Sequence, residues 1–213
     1  MISAEERMRR NEIVRRSWAR QASRYDRSMS FFERRVFGED HRTWAASRAR
    51  GKILEVGIGT GLNLPLYPPE PELHGLDLSS EMVDLARERA RSLDRAIDLR
   101  VGDAHELPYK SGSFDTVVST YTLCNVPDHS LAIQEMKRVL RPGGRLILVD
   151  HVRSSMLPIY LIQKGVEFFS LRLQSESQTR RPLEQVERAG FEVVERDRMR
   201  AGVIERLVAM NPL

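Results

Sequence analysis

Glycine or polar residues follow each of five apolar segments spaced along the chain, and these are the residues whose types could do chemistry. The carboxyl ends of parallel strands meet at one edge of an α/β sheet, and ligands bind at that edge. One such segment end would mean little, but consecutive ends of this kind predict a site. The candidates are Gly57, Gly59, Gly61, Asp77, Asp103, residues 119–125, Asp150 and His151.

Three glycines stand at alternate positions, Gly57, Gly59 and Gly61, directly after an apolar run. Because glycine has no Cβ, the backbone there can turn sharply and approach a ligand closely. This is not the Gly-x-Gly-x-x-Gly spacing of dinucleotide sites, in which a helix N-terminus holds a pyrophosphate. Prolines at 65, 68, 69 and 71 keep the next helix short. The loop therefore favours a nucleoside ligand without phosphates.

Two carboxylates are spaced to hold such a nucleoside. Asp77 can accept hydrogen bonds from both ribose hydroxyls, and Asp103 beside Ala104 can hold an adenine amino group. Glu55, just before the glycines, could orient the loop or attract a cationic group of the ligand.

Strands and helices must alternate to bring these residues to one edge, and the apolar pattern predicts that they do. We expect strands at 52–56, 73–78, 97–101, 114–119 and 145–149, and a final antiparallel edge pair at 191–196 and 203–210. Helices are expected near residue 62 and at about 80–93, 129–140 and 182–189, with the glycines of the turn at 141–144 ending the third. This alternation predicts a three-layer α/β sandwich with a mostly parallel sheet.

Composition fits one globular domain with a small addition, since the chain has 213 residues and 41% of them are hydrophobic. The single Cys124 excludes a disulfide framework and the usual zinc patterns, so we expect no metal site. We see neither a secretory signal nor a run of about 20 apolar residues, and we therefore expect a cytoplasmic protein.

Positive charge is concentrated at the N-terminus. The net charge is +4, to which residues 1–50 contribute +6 and residues 51–213 contribute −2. We therefore divide the chain into a helical cap, 1–50, and a main domain, 51–213, which carries an apolar insert at 151–178.

Two helices are expected in the cap, at 3–24 and 31–50, with Gly38 as a candidate interruption of the second. Val14, Trp18 and Tyr25 form an apolar stripe on the first, and arginines lie off that stripe. A basic helix with a tryptophan on its apolar side can lie in a lipid interface. It can equally be a lid packed on the main domain.

Five motifs in this order resemble those of class I S-adenosylmethionine-dependent methyltransferases: residues 53–61, Asp77, residues 102–104, residues 113–118 and residues 139–146. The match covers roughly residues 50–150. The resemblance implies a Rossmann-like αβα sandwich with seven strands in the order 3-2-1-4-5-7-6. It also implies S-adenosylmethionine as cofactor and S-adenosylhomocysteine as product.

Site residues follow from the chemistry above and from this resemblance. The family's direct displacement at a sulfonium methyl depends mainly on alignment and desolvation. The expected cofactor contacts are Tyr25, Glu55, Gly57, Gly59, Thr60, Gly61, Asp77, Leu78, Met82, Asp103, Ala104, Thr120 and Leu123. The candidates for catalysis are Tyr25, Tyr121, Asp150 and His151. The alternatives are a cap-anchoring role for Tyr25 and a structural role for His151.

A small, lipophilic acceptor is expected, because the cap and the apolar residues 157–173 should border its site. The chain most resembles bacterial phosphatidylethanolamine N-methyltransferases, and also ubiquinone/menaquinone C-methyltransferases and membrane-associated thiol methyltransferases. We therefore expect methylation of the phosphatidylethanolamine amine, with a quinone precursor or an alkyl thiol as alternative acceptors. Residues 157–173 could instead be core or a dimer face.

An anionic membrane surface is the partner expected for residues 1–35, which would place the protein peripherally on the inner membrane. A nucleic-acid methyltransferase is a distant alternative, suggested by the isoelectric point near 9.5. Residues 119–122 lack the Asn/Asp-Pro-Pro-Tyr motif of that class, so we expect no nucleic acid. A non-catalytic sensor of an adenosine ligand is the other distant alternative.

Overall fold

A seven-stranded sheet forms the centre of the protein. The computed structural model describes residues 2–33, 35, 38, 40–69, 71–173 and 180–213. The strands are β1 (Ile53–Val56), β2 (Leu73–Asp77), β3 (Asp98–Val101), β4 (Phe114–Thr120), β5 (Leu140–His151), β6 (Glu192–Met199) and β7 (Ile204–Met210). Their spatial order is β3-β2-β1-β4-β5-β7-β6. Strands β1 to β5 pair in parallel, and β7 runs antiparallel to both β5 and β6. The predicted strand order and the antiparallel edge pair are confirmed.

Helices cover both faces of the sheet. They are α1 (Ala4–Phe32), α2 (His41–Arg48), α3 (Ser80–Ser92), α4 (His129–Val139), α5 (Leu157–Leu173) and α6 (Pro182–Arg188), with a short 3-10 helix at Leu64–Leu66. On one face, α4 and α6 bury Ile133, Met136 and Val186 against the strands. On the other, α2 and α3 bury Trp44 and Ala86. These packed layers hold the strand ends in fixed positions.

Helix boundaries in the cap differ from those expected. The first helix does not end at residue 24, because residues 25–32 contain neither glycine nor proline and α1 continues to Phe32. The second begins at His41 and not at residue 31, after Gly38 and Asp40 adopt left-handed backbone angles, with φ of 97° and 84°. The break expected at Gly38 therefore separates the two helices.

The second cap helix, α2, packs against the sheet through Trp44, Ala45 and Ala46, whereas α1 lies across the strand ends. The division of the chain at residue 50 stays a prediction.

The α4–β5 connection also differs from the prediction. Helix α4 ends at Val139, before the glycines that were expected to end it. Strand β5 begins at Leu140, which pairs with Phe114, whereas the next pair joins Arg145 to Thr116. The residues between, 141–144, therefore bulge out of the ladder, and the positive φ of Gly143, 72°, makes this bulge compatible with the backbone.

Within the insert, the apolar residues 157–173 form α5, and residues 174–178 lie outside the described residues. On its first turns Leu157, Leu161 and Ile162 are more than 60% exposed. Of the helices described, none is long and apolar enough to cross a membrane. Thr179, next to the Arg-Arg-Pro-Leu sequence at 180–183, lies outside the described residues.

Candidate active site

A cavity opens at the carboxyl ends of β1, β2, β3 and β4, with α1 lying across it. It encloses about 680 Å³, part of it open to solvent. The strand-end residues that line it include Gly57, Gly59, Asp77, Leu78, Met82, Asp103, Ala104, Thr120 and Tyr121. Helix α1 contributes Asn11, Val14, Trp18 and Tyr25, which share one face at helical spacing. We call this space the donor cavity.

Each glycine of the loop is required for a different reason, and all three have positive φ. A Cβ on Gly57 would lie 2.3 Å from the Thr122 side chain, and one on Gly61 would lie 2.8 Å from Leu64. A Cβ on Gly59 would instead project into open space, with the Tyr25 ring 3.8 Å away as its nearest neighbour. Gly59 therefore keeps the donor cavity free, whereas Gly57 and Gly61 permit packing behind it.

Asp77 is held in place by the loops on either side of it. Its Oδ2 accepts the backbone N–H of Gly59 at 2.9 Å, and its Oδ1 accepts that of Ser79 at 3.0 Å. Burial raises the pKa of this carboxyl, and the two N–H groups oppose that shift by favouring the ionised form. Each oxygen keeps a lone pair for a ligand hydroxyl.

Asp103 joins the third strand end to α1. Its Oδ2 accepts a hydrogen bond from the Asn11 side-chain amide at 2.7 Å, and its Oδ1 lies 2.5 Å from Nδ1 of His105. His105 Nε2 accepts the backbone N–H of Asp128 at 3.1 Å, so the ring proton belongs on Nδ1, facing Asp103. Burial opposes ionisation of Asp103, but the bonds from His105 outweigh it and lower the pKa.

Four of the predicted cofactor contacts lie behind the donor cavity and are not among its described lining: Glu55, Thr60, Gly61 and Leu123. Glu55 accepts hydrogen bonds from Asn63 at 2.8 Å and from the Tyr67 hydroxyl at 2.9 Å. Burial raises its pKa to about 7. These two bonds connect Glu55 to the residues after the glycine loop, and its contact with the cofactor stays a prediction.

The other members of this group also serve packing or bracing. The Thr60 hydroxyl donates to Asp26 of α1 at 2.6 Å. Leu123 is 1% exposed and belongs to the core beneath β4.

The sequence that forms this site is similar to that of known proteins. Residues 54–148 match a family described as a methyltransferase domain. A curated phosphatidylethanolamine N-methyltransferase of Cereibacter sphaeroides is 40% identical over 131 residues, which are 60% of this chain and 64% of that protein. A demethylmenaquinone methyltransferase of Deinococcus radiodurans is 34% identical over 147 residues, 66% of this chain and 61% of that protein. The chain thus spans a little under two thirds of these relatives.

Solved structures of other proteins have the same fold as this chain. A Thermotoga maritima structure described as an S-adenosylmethionine-dependent methyltransferase superposes with a TM-score of 0.71 at 23% identity, covering 92% of this chain and 99% of that one. Residues 54–148 are therefore similar to a methyltransferase domain, and the chain shares the fold of this solved structure. The cyclase SpnF has the same fold, with a TM-score of 0.68 at 20% identity over 81% of this chain and 80% of that one. Fold alone therefore does not establish the reaction, and the site must carry that argument.

Tyr121 lies between two cavities of the protein. It is 6% exposed and has a positive φ of 55°, which aims its ring away from the path of β4. The guanidinium of Arg42 lies 5.2 Å from the ring centroid, and the His151 ring lies 5.1 Å from it. Tyr121 lines both the donor cavity and a second cavity beside α2.

Asp150 and His151 are candidates for contact with the acceptor, and that role stays a prediction. Both are buried, and neither lines the two cavities that Tyr121 separates. Asp150 accepts the backbone N–H groups of Cys124 at 3.1 Å and of His151 at 2.8 Å, which anchors the loop after β4. Burial raises the pKa of Asp150 to about 6 and lowers that of His151 to about 4. At the end of β5, the ring of His151 contacts that of Tyr121, with 5.1 Å between the ring centroids.

Metal-ligand atoms of Cys124, Asp150 and His151 lie within 4.8 Å of one another. This cluster lies below Tyr121 and not on the donor cavity. Within the cluster, each carboxylate oxygen of Asp150 accepts one backbone N–H group, and these two bonds hold the loop after β4.

Asn11 and Arg42 are among the residues of the site that the sequence did not predict. Asn11 is a polar residue on the otherwise apolar helix face of Val14 and Trp18. A polar residue at such a position could have indicated its role from the sequence. Arg42 carries no such signal, because its importance depends on partners distant in sequence. Its Nε donates to Glu33 at 2.5 Å, and its Nη1 donates to Asn63 at 2.9 Å and to Thr120 at 3.2 Å.

Proposed function

We propose that the protein transfers a methyl group from S-adenosylmethionine to a small lipophilic acceptor, with the amine of phosphatidylethanolamine as the leading candidate. The observation that carries the proposal is the donor cavity, where a glycine without Cβ, Asp77 and Asp103 converge on one space at the strand ends. These residues fit an adenosine ligand, since a Cβ on Gly59 would fill part of the cavity.

The strand-end residues would hold the ligand as follows. Asp77 accepts hydrogen bonds from the ribose hydroxyls, and Leu78 and Met82 supply apolar contact for the nucleoside. Ala104 and Asp103 border the base. Asn125 lines the same cavity, and its buried Oδ1 has no hydrogen-bond partner in the described part of the chain, so it can accept an N–H group of the base.

S-adenosylmethionine, when bound, supplies an electrophilic methyl group on a sulfonium. The residues of this chain align and desolvate the reactants. Tyr25 closes the cavity from α1 with its ring 5.6 Å from that of Trp18, in a T-shaped arrangement. Burial raises the pKa of Tyr25 to about 12, so its hydroxyl keeps its proton at neutral pH and can donate a hydrogen bond as well as accept one. Tyr121 forms the wall towards the acceptor.

The phosphatidylethanolamine candidate is supported by the relative at 40% identity that carries that activity in its name. A quinone precursor is the second candidate, supported by the demethylmenaquinone methyltransferase at 34% identity. An alkyl thiol, a nucleic acid, and the role of a non-catalytic adenosine sensor are weaker alternatives, because neither relative named above bears such a name.

One experiment separates these candidates. The protein is incubated with methyl-labelled S-adenosylmethionine and a panel of ethanolamine lipids, quinone precursors and alkyl thiols. We expect label in the ethanolamine lipid fraction. Label only in a polar metabolite or in nucleic acid would reject the lipophilic acceptor.

Donor binding is tested separately by calorimetry with S-adenosylhomocysteine. Asp77→Asn should weaken binding by about tenfold to a hundredfold, the range for a hydrogen bond to a charged group. Asp84→Asn on the exposed side of α3 is the matched control. Unchanged binding in the Asp77 variant would contradict its assignment to the ribose.

A further inference from the structure

Asn125 lines the donor cavity from the turn at 122–126, which follows β4. Its backbone N–H donates to the carbonyl of Thr122 at 2.9 Å, and its side-chain Nδ2 donates to Sγ of Cys124 at 3.2 Å. The side chain is thus held by the turn itself, and its Oδ1 is the atom that the proposed function assigns to an N–H group of the base. In adenosine, the exocyclic amino group is the only N–H group of the base. The position of this turn therefore decides how well the base is recognised.

Arg180 holds this turn from the side of the insert. Its Nη1, which carries two hydrogens, donates to the carbonyl of Leu123 at 2.6 Å and to the carbonyl of Val126. These two carbonyls lie on either side of Cys124 and Asn125 in the chain. One guanidinium therefore spans the part of the turn that carries the cavity-lining amide.

The burial of this guanidinium argues that the contact does more than fill space. Burial lowers the pKa of Arg180, and the nearby carboxylate of Asp150 opposes that shift. An apolar side chain could occupy the same volume without the cost of desolvating a cation. Bonding both carbonyls, in contrast, requires a side chain with at least two N–H donors. Arg180 thus has the chemistry needed to fix the turn.

The backbone of Arg180 also joins the two ends of the insert at 151–178. Its carbonyl accepts the backbone N–H of Arg153 at 3.4 Å, so the residues that flank α5 meet here. The side chain of the same residue reaches the turn at 122–126. Arg180 therefore connects the base of the insert to a wall of the donor cavity.

We propose that Arg180 is a positioning residue for donor recognition, which fixes the turn at 122–126 so that Asn125 accepts the amino group of adenine. The inference rests on the proposed function, because it presumes that the donor cavity holds an adenosine ligand. It also gives a role to the Arg-Arg-Pro-Leu sequence at 180–183. Its first arginine holds the turn, whereas the side chain of Arg181 is 56% exposed and pairs with Glu184 at 3.0 Å.

Calorimetry on the full chain with two ligands tests this inference without relying on turnover. The ligands are S-adenosylhomocysteine and S-inosylhomocysteine, in which a carbonyl replaces the amino group of the base. The wild type should bind the adenine compound about tenfold more tightly, the scale of one hydrogen bond. Asn125→Ala should reduce this preference by about fivefold, and Arg180→Met should reduce it by about threefold, because part of that bond is lost. Arg181→Met, at the neighbouring exposed arginine, is the matched control and should keep the wild-type preference.

The ratio of the two affinities distinguishes positioning from a merely structural role, since a general loss of stability favours neither ligand. Arg180→Lys keeps the positive charge and should give an intermediate preference. It carries the test if thermal unfolding shows that Arg180→Met is not folded. Combining Asn125→Ala with Arg180→Met should reduce the preference no further than Asn125→Ala alone, because both changes act through one amide.

The outcomes separate the inference from the proposed function. If S-adenosylhomocysteine does not bind the wild type, the proposed function fails, and the inference fails with it. If Asn125→Ala keeps the wild-type preference, Asn125 does not contact the base, and Arg180 has no amide to position. If Asn125→Ala loses the preference but the folded Arg180 variants keep it, the inference is wrong while the proposed function stands.

Discussion

The side-chain amide of Asn11 donates a hydrogen bond to the carboxylate of Asp103, with 2.7 Å between Nδ2 and Oδ2. It connects the N-terminal helix to the third strand end, across 92 residues of sequence. Helix α1 is thus a wall of the donor cavity, and its removal would alter donor binding as well as any contact with a membrane.

Asn11→Ala should therefore weaken binding of S-adenosylhomocysteine by about fivefold, because it removes a hydrogen bond to a charged group that lines the cavity. Calorimetry measures the affinity, and hydrogen exchange should show faster exchange of the amides in the first turns of α1. Arg20→Ala, on the exposed side of the same helix, is the control. Equal affinities for the two variants would show that α1 does not close the donor cavity.

Gly59→Ala should abolish measurable donor binding, because the added methyl group projects into the cavity. Gly112→Ala is a matched control: φ is 67° at Gly112 and 55° at Gly59, and the nearest atom to a Cβ on Gly112 is 3.9 Å away. Both variants should lose about 1–2 kcal/mol of stability, the cost of a left-handed non-glycine residue. Thermal unfolding measures that loss, and calorimetry measures binding. Retained binding in Gly59→Ala would place the nucleoside elsewhere.

Because of the Glu55 carboxyl, the free energy of unfolding should fall as the pH rises. Its pKa is about 7 when folded against 4.5 ordinarily, so between these values the unfolded chain binds fewer protons than the folded one. The free energy of unfolding should drop across this window by up to about 3 kcal/mol and then stay level with respect to this group. Urea unfolding of the wild type and of Glu55→Gln from pH 4.5 to 8 tests this.

The Glu55→Gln variant should lack that component of the pH dependence. The exposed Glu88→Gln should keep it and serves as the control. Parallel pH profiles for all three proteins would show that the Glu55 carboxylate is not destabilised by burial.

The sequence predicts that residues 1–35 contact an anionic membrane surface. Exposed arginines on α1 should therefore strengthen binding to anionic vesicles. Replacing Arg20, Arg24 and Arg27 by alanine should weaken sedimentation with phosphatidylglycerol vesicles by about fivefold per arginine. The control replaces Arg50, Arg91 and Arg181, which are also exposed and change the net charge equally. An equal loss in both triple variants would indicate a response to net charge and would contradict an oriented helix.

Much of the donor site could be predicted because it is local in sequence. The glycines, Asp77, Asp103 and Ala104 each follow a strand, and parallel pairing brings consecutive strand ends to one edge. The position of a residue after a strand does not show whether its side chain faces the cavity or the core. Glu55, Thr60 and Leu123 therefore lie behind the donor cavity, and Asp150 and His151 lie beneath Tyr121.

By itself, the sequence determined the alternation of strands and helices, the parallel sheet and the glycine loop, because these depend on short-range periodicity and on backbone freedom at single residues. Only the tertiary structure decided that α1 covers the donor cavity and that Arg42 joins Glu33, Asn63 and Thr120. It also decided that Tyr121 divides two cavities. These contacts join residues far apart in the chain, and their formation depends on packing that no local pattern encodes.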